Sequence, residues 1–397
     1  MSVVKSLVKL AVPASMAAGL SALVKQRSSL ALQHNTITRL DENIYLMDYR
    51  EEYDIEGVLR DGASNIVDLM KYAVKHNPVA EKAVTVGTDE GGGCTTFEAY
   101  TPEGDHTLGR NFDFREAPCF VVWTHPQNRY ASLSVVDNNF LAYGNKRRQY
   151  DPKNAMQAML APFCCVDGIN EKGLAIAVLQ IRAAATKQTD PAKKDITTTA
   201  MIRAVLDTCA TVDEAVELFG KYNMHDSLFT AYHYQIIDKT GRSVVIEYIG
   251  EKMYVYERGS EKYPVTGSVF ENDGLKFQYV CNFTITKEIG DFKVEQHGED
   301  RIDAVKEVLI AKDDVMTEME SMDLLSHVRL DYDHPRYPWR VVALWSAVYN
   351  ADKQTVKLVA NRNYKKVYTF AVNKPCEVLD TECIETSAYT DKEWQYL

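Results

Sequence analysis

The chain has 397 residues, enough for one large layered domain with an N-terminal extension or for two or three average domains. Hydrophobic residues make up 46% and charged residues 25%, the balance of an ordinary globular protein that buries a sizeable core. A net charge of −11 argues against a nucleic-acid partner, because phosphate binding needs clustered Lys and Arg, and the short run Lys146-Arg147-Arg148 reads as a solvated loop.

Met1 to Lys25 sets Lys5 and Lys9 before an apolar, small-residue stretch from Leu10 to Val24, interrupted by Pro13. Residues 1–30 therefore have the outline of a weak signal peptide or of an amphipathic surface helix, and are short for a spanning helix. Export or membrane association stands level with a cytoplasmic location. Residues 31–93 read as a folded, helical segment: Ser64 can cap a helix with Ile66, Leu69, Met70 and Ala73 at helical spacing, ended by Asn77-Pro78. Such an apolar strip must pack against the rest of the chain.

Gly91-Gly92-Gly93 then leads into an alternating run, Cys94-Thr-Thr-Phe-Glu-Ala-Tyr100. Residues 101–105 (TPEGD) form a turn, and His106 to Phe112 is the returning strand. A cysteine thus sits at the end of a β-hairpin behind a flexible, cleavable lead. A thiol reacts as its thiolate and needs a base or a positive field, and Arg110 and Asp113 return on the partner strand. Cutting the bond before Cys94 gives that residue its own α-amine, a base with an ordinary pKa of about 8. Asp113 can orient that amine and Arg110 can stabilise the thiolate. The alternative is a small buried hydrophobe at the start of a strand.

Downstream, residues 119–124 (CFVVWT) and 132–137 (SLSVVD) read as strands, Asp167-Gly168 as a turn, and residues 173–180 as a buried strand ending at Gln180. Helices are expected over residues 199–208 and from the Thr211/Glu214 capping box to Gly220. Residues 232–237, 243–248 and 252–256 make a meander, which favours antiparallel sheets. Asn282, between apolar residues, reads as a turn or strand-end cap. Residues 301–311 form an amphipathic helix, and residues 331–340 (DYDHPRYPWR) a Pro-broken loop that includes His334. Strands at 341–349, 355–360 and 366–372 complete the chain. The eight cysteines show no C-x-x-C and no zinc spacing, so no metal is expected; only Cys376 and Cys383 suggest a disulfide pair.

Cys94 with Gly109-Arg110-Asn111-Phe112-Asp113, residues 167–174 (DGINEKGL), Cys281-Asn282-Phe283 and Trp345-Ser-Ala-Val-Tyr349 together resemble the choloylglycine hydrolase family of linear-amide hydrolases. That family includes bile salt hydrolases and penicillin V acylases, with acid ceramidase and N-acylethanolamine amidase as relatives. The resemblance implies an α+β, four-layer αββα sandwich of two antiparallel sheets between helical layers, the N-terminal-nucleophile (Ntn) hydrolase fold. It also implies a pro-segment ending at residue 93 and a catalytic domain over residues 94–397. Cys94, freed by self-cleavage, would attack a linear amide through a thioester, with no cofactor. Arg110 and Asp113 serve it, and Asn282 matches the asparagine that donates to the oxyanion. Gln180 replaces an asparagine of the bile salt hydrolases. Of Arg336 and Arg340, the second is preferred as the late active-site arginine, because it directly precedes a buried strand.

The implied substrate is a small-molecule amide with an apolar acyl group: an N-acyl amide, a bile salt or a ceramide-like lipid. A homo-oligomer is left open. Two other classes remain: a papain-like cysteine peptidase relying on His334, and a non-catalytic lipid-binding relative.

Overall fold

The computed structural model describes residues 35–65, 68–69, 72, 92–141, 158–226, 230–287, 297–334, 339–390, 392 and 394. The signal-like stretch 1–30, most of the helix expected after Ser64, the 146–148 basic run and Arg336 lie outside the described residues. Among the described residues no helix is long and apolar enough to cross a membrane.

In chain order the first half holds β1 (Thr36–Arg39), β2 (Ile44–Tyr49), α1 (Ile55–Asp61), β3 (Gly93–Tyr100), β4 (His106–Arg115), β5 (Cys119–Thr124), β6 (Ser132–Asp137), β7 (Asp167–Asn170) and β8 (Ala175–Ala184). Then come β9 (Lys194–Thr197), α2 (Thr198–Thr208), α3 (Val212–Lys221), β10 (Tyr222–His225), β11 (Thr230–Ile237), β12 (Ser243–Ile249), β13 (Lys252–Tyr256) and β14 (Tyr279–Val280). The chain closes with α4 (Glu299–Lys312), α5 (Glu318–His327), β15 (Asp331–Asp333), β16 (Arg340–Asn350), β17 (Thr355–Ala360), β18 (Val367–Ala371) and β19 (Asp380–Glu382).

Two large sheets face each other. The first runs β1-β2-β5-β6-β7-β8-β11-β12-β13; the second runs β14-β3-β4-β16-β17-β18-β19, with β15 added beside β16. Side chains cross between them: Trp123 Nε1 donates to the Ala371 carbonyl at 2.8 Å, and Tyr349 donates to Asp167 Oδ1 at 2.8 Å. Helices α2 and α3 pack on the outer face of the first sheet, with Phe219 of α3 edge-on to Tyr234 at 4.8 Å. Helices α4 and α5 pack on the second, against β3, β4 and β16. The order of layers is αββα, as the resemblance implies.

The described part of the N-terminal segment holds two strands as well as a helix. Residues 36–39 and 44–49 are strands, and β2 pairs with β5 in parallel, from Ile44 opposite Cys119 to Tyr49 opposite Thr124. The first sheet is therefore mixed, not purely antiparallel. All six residues of β2 are buried, as expected for a parallel strand covered on both faces. Tyr53, just beyond, donates to both oxygens of buried Asp207 at 2.9 Å. Ser64 is not the helix cap: its hydroxyl donates to Asp195 Oδ2 at 2.7 Å, while Asn65 Oδ1 accepts the Asp68 N–H at 2.9 Å.

Two further expectations change. Asp167-Gly168 lies within β7 instead of forming a turn. Cys376 and Cys383 are both free thiols, one half-buried and one exposed. The sequence reading passed over α5, although Thr317 and Glu320 form a full capping box at its start.

Candidate active site

The β3–β4 hairpin closes through residues 101–105, where Gly104 adopts φ 93 and its N–H donates to the Thr101 carbonyl at 2.8 Å. Its register sets Cys94 opposite Phe112, Thr96 opposite Arg110 and Gly93 opposite Asp113. Alternation therefore turns Cys94, Arg110 and Phe112 toward the first sheet, and Thr95, Asn111 and Asp113 toward α4 and α5. Arg110 Nε duly donates to Asp167 Oδ2 on β7 at 3.1 Å, and Asn111 Nδ2 to the Leu325 carbonyl on α5 at 2.8 Å.

Arg110 and Asp167 are both wholly buried. Asp167 also accepts Trp345 Nε1 at 2.9 Å and the Tyr349 hydroxyl at 2.8 Å, so a carboxylate between the sheets has three donors. The terminal nitrogens of Arg110 make no hydrogen bond to an N or O atom among the described residues, and its charge acts on the Cys94 thiol. Burial pushes the Cys94 thiol up from its ordinary value; Arg110 pulls it back and Asp113 pushes it further up. Such a thiol stands protonated and needs a base beside it.

The face away from the first sheet holds a residue that the sequence reading did not select. Arg301, buried in the first turn of α4, donates through Nη2 to Asn282 Oδ1 at 2.9 Å and through Nη1 to Thr95 Oγ1 at 2.9 Å. The same Nη1 lies 3.4 Å from Asp113 Oδ2 and 3.5 Å from the Cys94 carbonyl oxygen. Burial pushes the Asp113 carboxyl up, against the pull of Arg301, the Leu330 N–H and Arg110. A signal for Arg301 existed: an arginine in the first turn opposes the helix dipole, so something other than helix stability holds it there.

Asn282 joins the two halves. Its Oδ1 accepts the Cys94 N–H at 2.8 Å as well as Arg301, and its Nδ2 donates to the Gln180 carbonyl at 2.7 Å, which fixes the orientation of the amide. Gln180 meets the site through its backbone, since its N–H is directed at the Cys94 sulfur. Its half-buried side chain turns aside to Thr230 Oγ1 at 3.3 Å.

The glycine lead is packed, not loose. Gly92 and Gly93 are both buried; a Cβ on Gly93 would collide with Leu330 Cδ1 and sit 3.2 Å from Asp113 Oδ2. Gly93 admits the α5–β15 connection against the peptide group before Cys94, while a Cβ on Gly92 would press on Phe114 and the Asp113 carbonyl. Gly298 is comparable: at φ 77, a Cβ there would meet Cys281 Sγ and, at 2.6 Å, Arg301 Nη2. Gly298→Ala is expected to strain the backbone and displace Arg301, lowering kcat on an amide substrate by about tenfold or more, read beside a melting curve.

Arg340 does not belong to this constellation. It opens β16 half-exposed, with Nε 2.5 Å from Asp331 Oδ1, because the hairpin formed with β15 turns it to the surface. The His334 ring lies tilted against Trp339 at 4.7 Å, while the charges that act on Cys94 are those of Arg110 and Asp113.

Residues 94–272 match the model of the linear amide C–N hydrolases, choloylglycine hydrolase family, and the match begins at Cys94 itself. The chain is similar to that family over these residues. Penicillin V acylase of Pectobacterium atrosepticum is 28% identical over 199 residues, 46% of this chain and 51% of that protein. Bile salt hydrolase/transferase of Clostridium perfringens is 27% identical over 177 residues, 41% of this chain and 50% of that protein. The chain thus matches about half the length of these curated relatives. A crystal structure of a variant conjugated bile acid hydrolase from Clostridium perfringens has a TM-score of 0.50 at 19% identity, covering 76% of this chain and 99% of that one. That likeness is one of fold, an α+β sandwich of two sheets between helical layers.

Proposed function

We propose that the protein is a cysteine-nucleophile hydrolase of linear amide C–N bonds, activated by cleavage between Gly93 and Cys94. One observation carries the reading: Asn282, Arg301 and Asp113 converge on the peptide group at Cys94 from one side, and Arg110 meets its thiol from the other.

In the first stage the thiol adds to the Gly93 carbonyl, and the acyl group shifts from the Cys94 nitrogen to its sulfur. Water then hydrolyses the thioester, leaving a carboxylate on Gly93 and a free α-amine on Cys94. The amine takes over the position of the present N–H, beside Asn282 Oδ1, with Asp113 close by. In the second stage it accepts the thiol proton while Arg110 compensates the thiolate. Sulfur attacks the substrate carbonyl, and the oxyanion is met by the second Nδ2 hydrogen of Asn282 and the Gln180 N–H. The protonated amine gives its proton to the leaving nitrogen, and water releases the acid.

Residues 1–93 and 94–397 are then two chains. Retention of the first is supported by β2, which fills a place between β1 and β5, and by the buried Tyr53–Asp207 bond.

Support for an apolar acyl group comes from a row of aromatic rings that starts opposite Cys94. Phe112 stacks on Trp345 at 4.3 Å and lies 6.0 Å from Phe114, which in turn lies 6.2 Å from Phe140 and 6.1 Å from Trp339. Phe114, Phe140 and Trp339 are all partly exposed, so they can offer ring surface to a ligand. An apolar wall gains about 0.8 kcal/mol per buried methylene, so kcat/KM is expected to rise about fourfold per added carbon until the wall is covered. A panel of N-acyl amides of increasing length, with glyco- and tauro-conjugated bile salts and penicillin V beside it, tests this. A flat response along the series removes the long-acyl reading, and inactivity on every amide removes the function.

A further inference from the structure

Asn282 stands on a segment with little secondary structure to hold it. Strand β14 is only two residues long and ends at Val280, immediately before Cys281 and Asn282. The hold comes from the opposite sheet. His233 on β11 and Glu247 on β12 are cross-strand partners, and both are wholly buried. His233 Nε2 donates to the Cys281 carbonyl at 2.8 Å, and its Nδ1 faces Glu247 Oε2 at 3.3 Å. Glu247 also accepts the Ile285 N–H at 3.0 Å through Oε2 and the Thr286 N–H at 2.8 Å through Oε1. The pair therefore grips the 281–286 segment on both sides of Asn282.

We propose that His233 and Glu247 are positioning residues for the reaction: they fix Asn282 across the gap between the sheets, so that its amide meets the Cys94 nitrogen. This rests on the proposed amidase reading and deepens it. The physical case is the burial of the pair and where its hydrogen bonds go. A buried carboxylate and a buried imidazole need partners, and these two find theirs in each other and in the backbone of one short segment. The other polar anchors described for that segment are the Val269 N–H on the Ile285 carbonyl at 2.7 Å beside the Ser268–Thr286 bridge, the Tyr256 hydroxyl on Thr286, the Asn282 contacts themselves and the Cys281 thiol, which donates to the Cys94 carbonyl at 3.0 Å. Apart from that thiol and Asn282 itself they lie at residues 285 and 286, so at Cys281 the backbone is held by His233. A shift of Asn282 by about 1 Å breaks the 2.8 Å bond to Cys94, and misplacement of that size is worth on the order of 100-fold in rate.

The test compares His233→Leu, His233→Gln and Glu247→Gln with Gln235→Leu, a control at a buried polar position of the same strand and face whose amide bonds to Ser243 instead. For each full-length protein, the rate of Gly93–Cys94 cleavage, kcat and KM on the best amide of the panel, and Tm are measured. His233→Leu and Glu247→Gln are expected to lose on the order of 100-fold in kcat and in cleavage rate with KM little changed, and His233→Gln, which restores a donor, to recover most of it. Should the loss merely follow Tm, as in the Gln235→Leu control, or be absent, the inference fails. A crystal structure of His233→Leu separates this from failure of the amidase reading: an unmoved Asn282 overturns the positioning role, whereas a wild type silent on every amide overturns the function alone.

Discussion

Cys94→Ala is expected to remain a single chain of 44.9 kDa and to lose turnover by about 10⁴-fold or more, because in the proposed mechanism one sulfur serves both the cleavage and the hydrolysis. The substitution removes one buried atom from the start of β3 and leaves the hairpin register intact, so the melting temperature should move little. Gly93→Ala separates the two stages. It keeps the sulfur but drives a methyl group into Leu330 and against Asp113, so cleavage should slow while the thiol still reacts with an alkylating reagent. Intact mass and N-terminal sequencing of the three proteins decide the matter. A wild type that is fully active as one uncut chain would sink the Ntn mechanism.

The second large effect is electrostatic. Asp113→Asn keeps the shape of the side chain but removes the charge beside Arg301 and the future α-amine, and kcat should fall far more than KM rises. Arg110→Ala is expected to be worse in a different way. It strips the proposed thiolate of its compensating charge and leaves Asp167 buried with two neutral donors. Breaking a buried ion pair from one side costs about 3–5 kcal/mol, so this variant should melt well below wild type, and its kinetics have meaning only below that temperature. Near-normal kcat in Asp113→Asn would remove the charge from the mechanism. Near-normal stability in Arg110→Ala would mean that Asp167 is not held as a carboxylate.

What could be read from the sequence was local. The β3–β4 hairpin follows from an alternating run, a Pro/Gly turn and a second alternating run, and its register alone sets Cys94 near Arg110 and Asp113. Helices α2 and α3 and the β11–β13 meander were legible for the same reason: caps and periodicity act over a few residues. The resemblance supplied the layers and the interest in Asn282, which no spacing rule would have joined to a cysteine 188 positions away.

Only the tertiary structure decided the rest. Parallel pairing of β2 with β5 has no turn to announce it, since the partners are far apart in the chain. Arg340 and Arg301 show the same limit from two sides: one precedes a buried strand but is turned outward by β15, while the other opens an ordinary helix whose N-terminus happens to be aimed at Cys94. Gln180 joins through its backbone, which no side-chain motif records. Gly93, read from sequence as freedom of movement, is room made for Leu330. A sequence states which way a side chain points along its own strand or helix; which neighbour it meets depends on how two sheets and two helical layers stack, and that is fixed by the burial of the whole core.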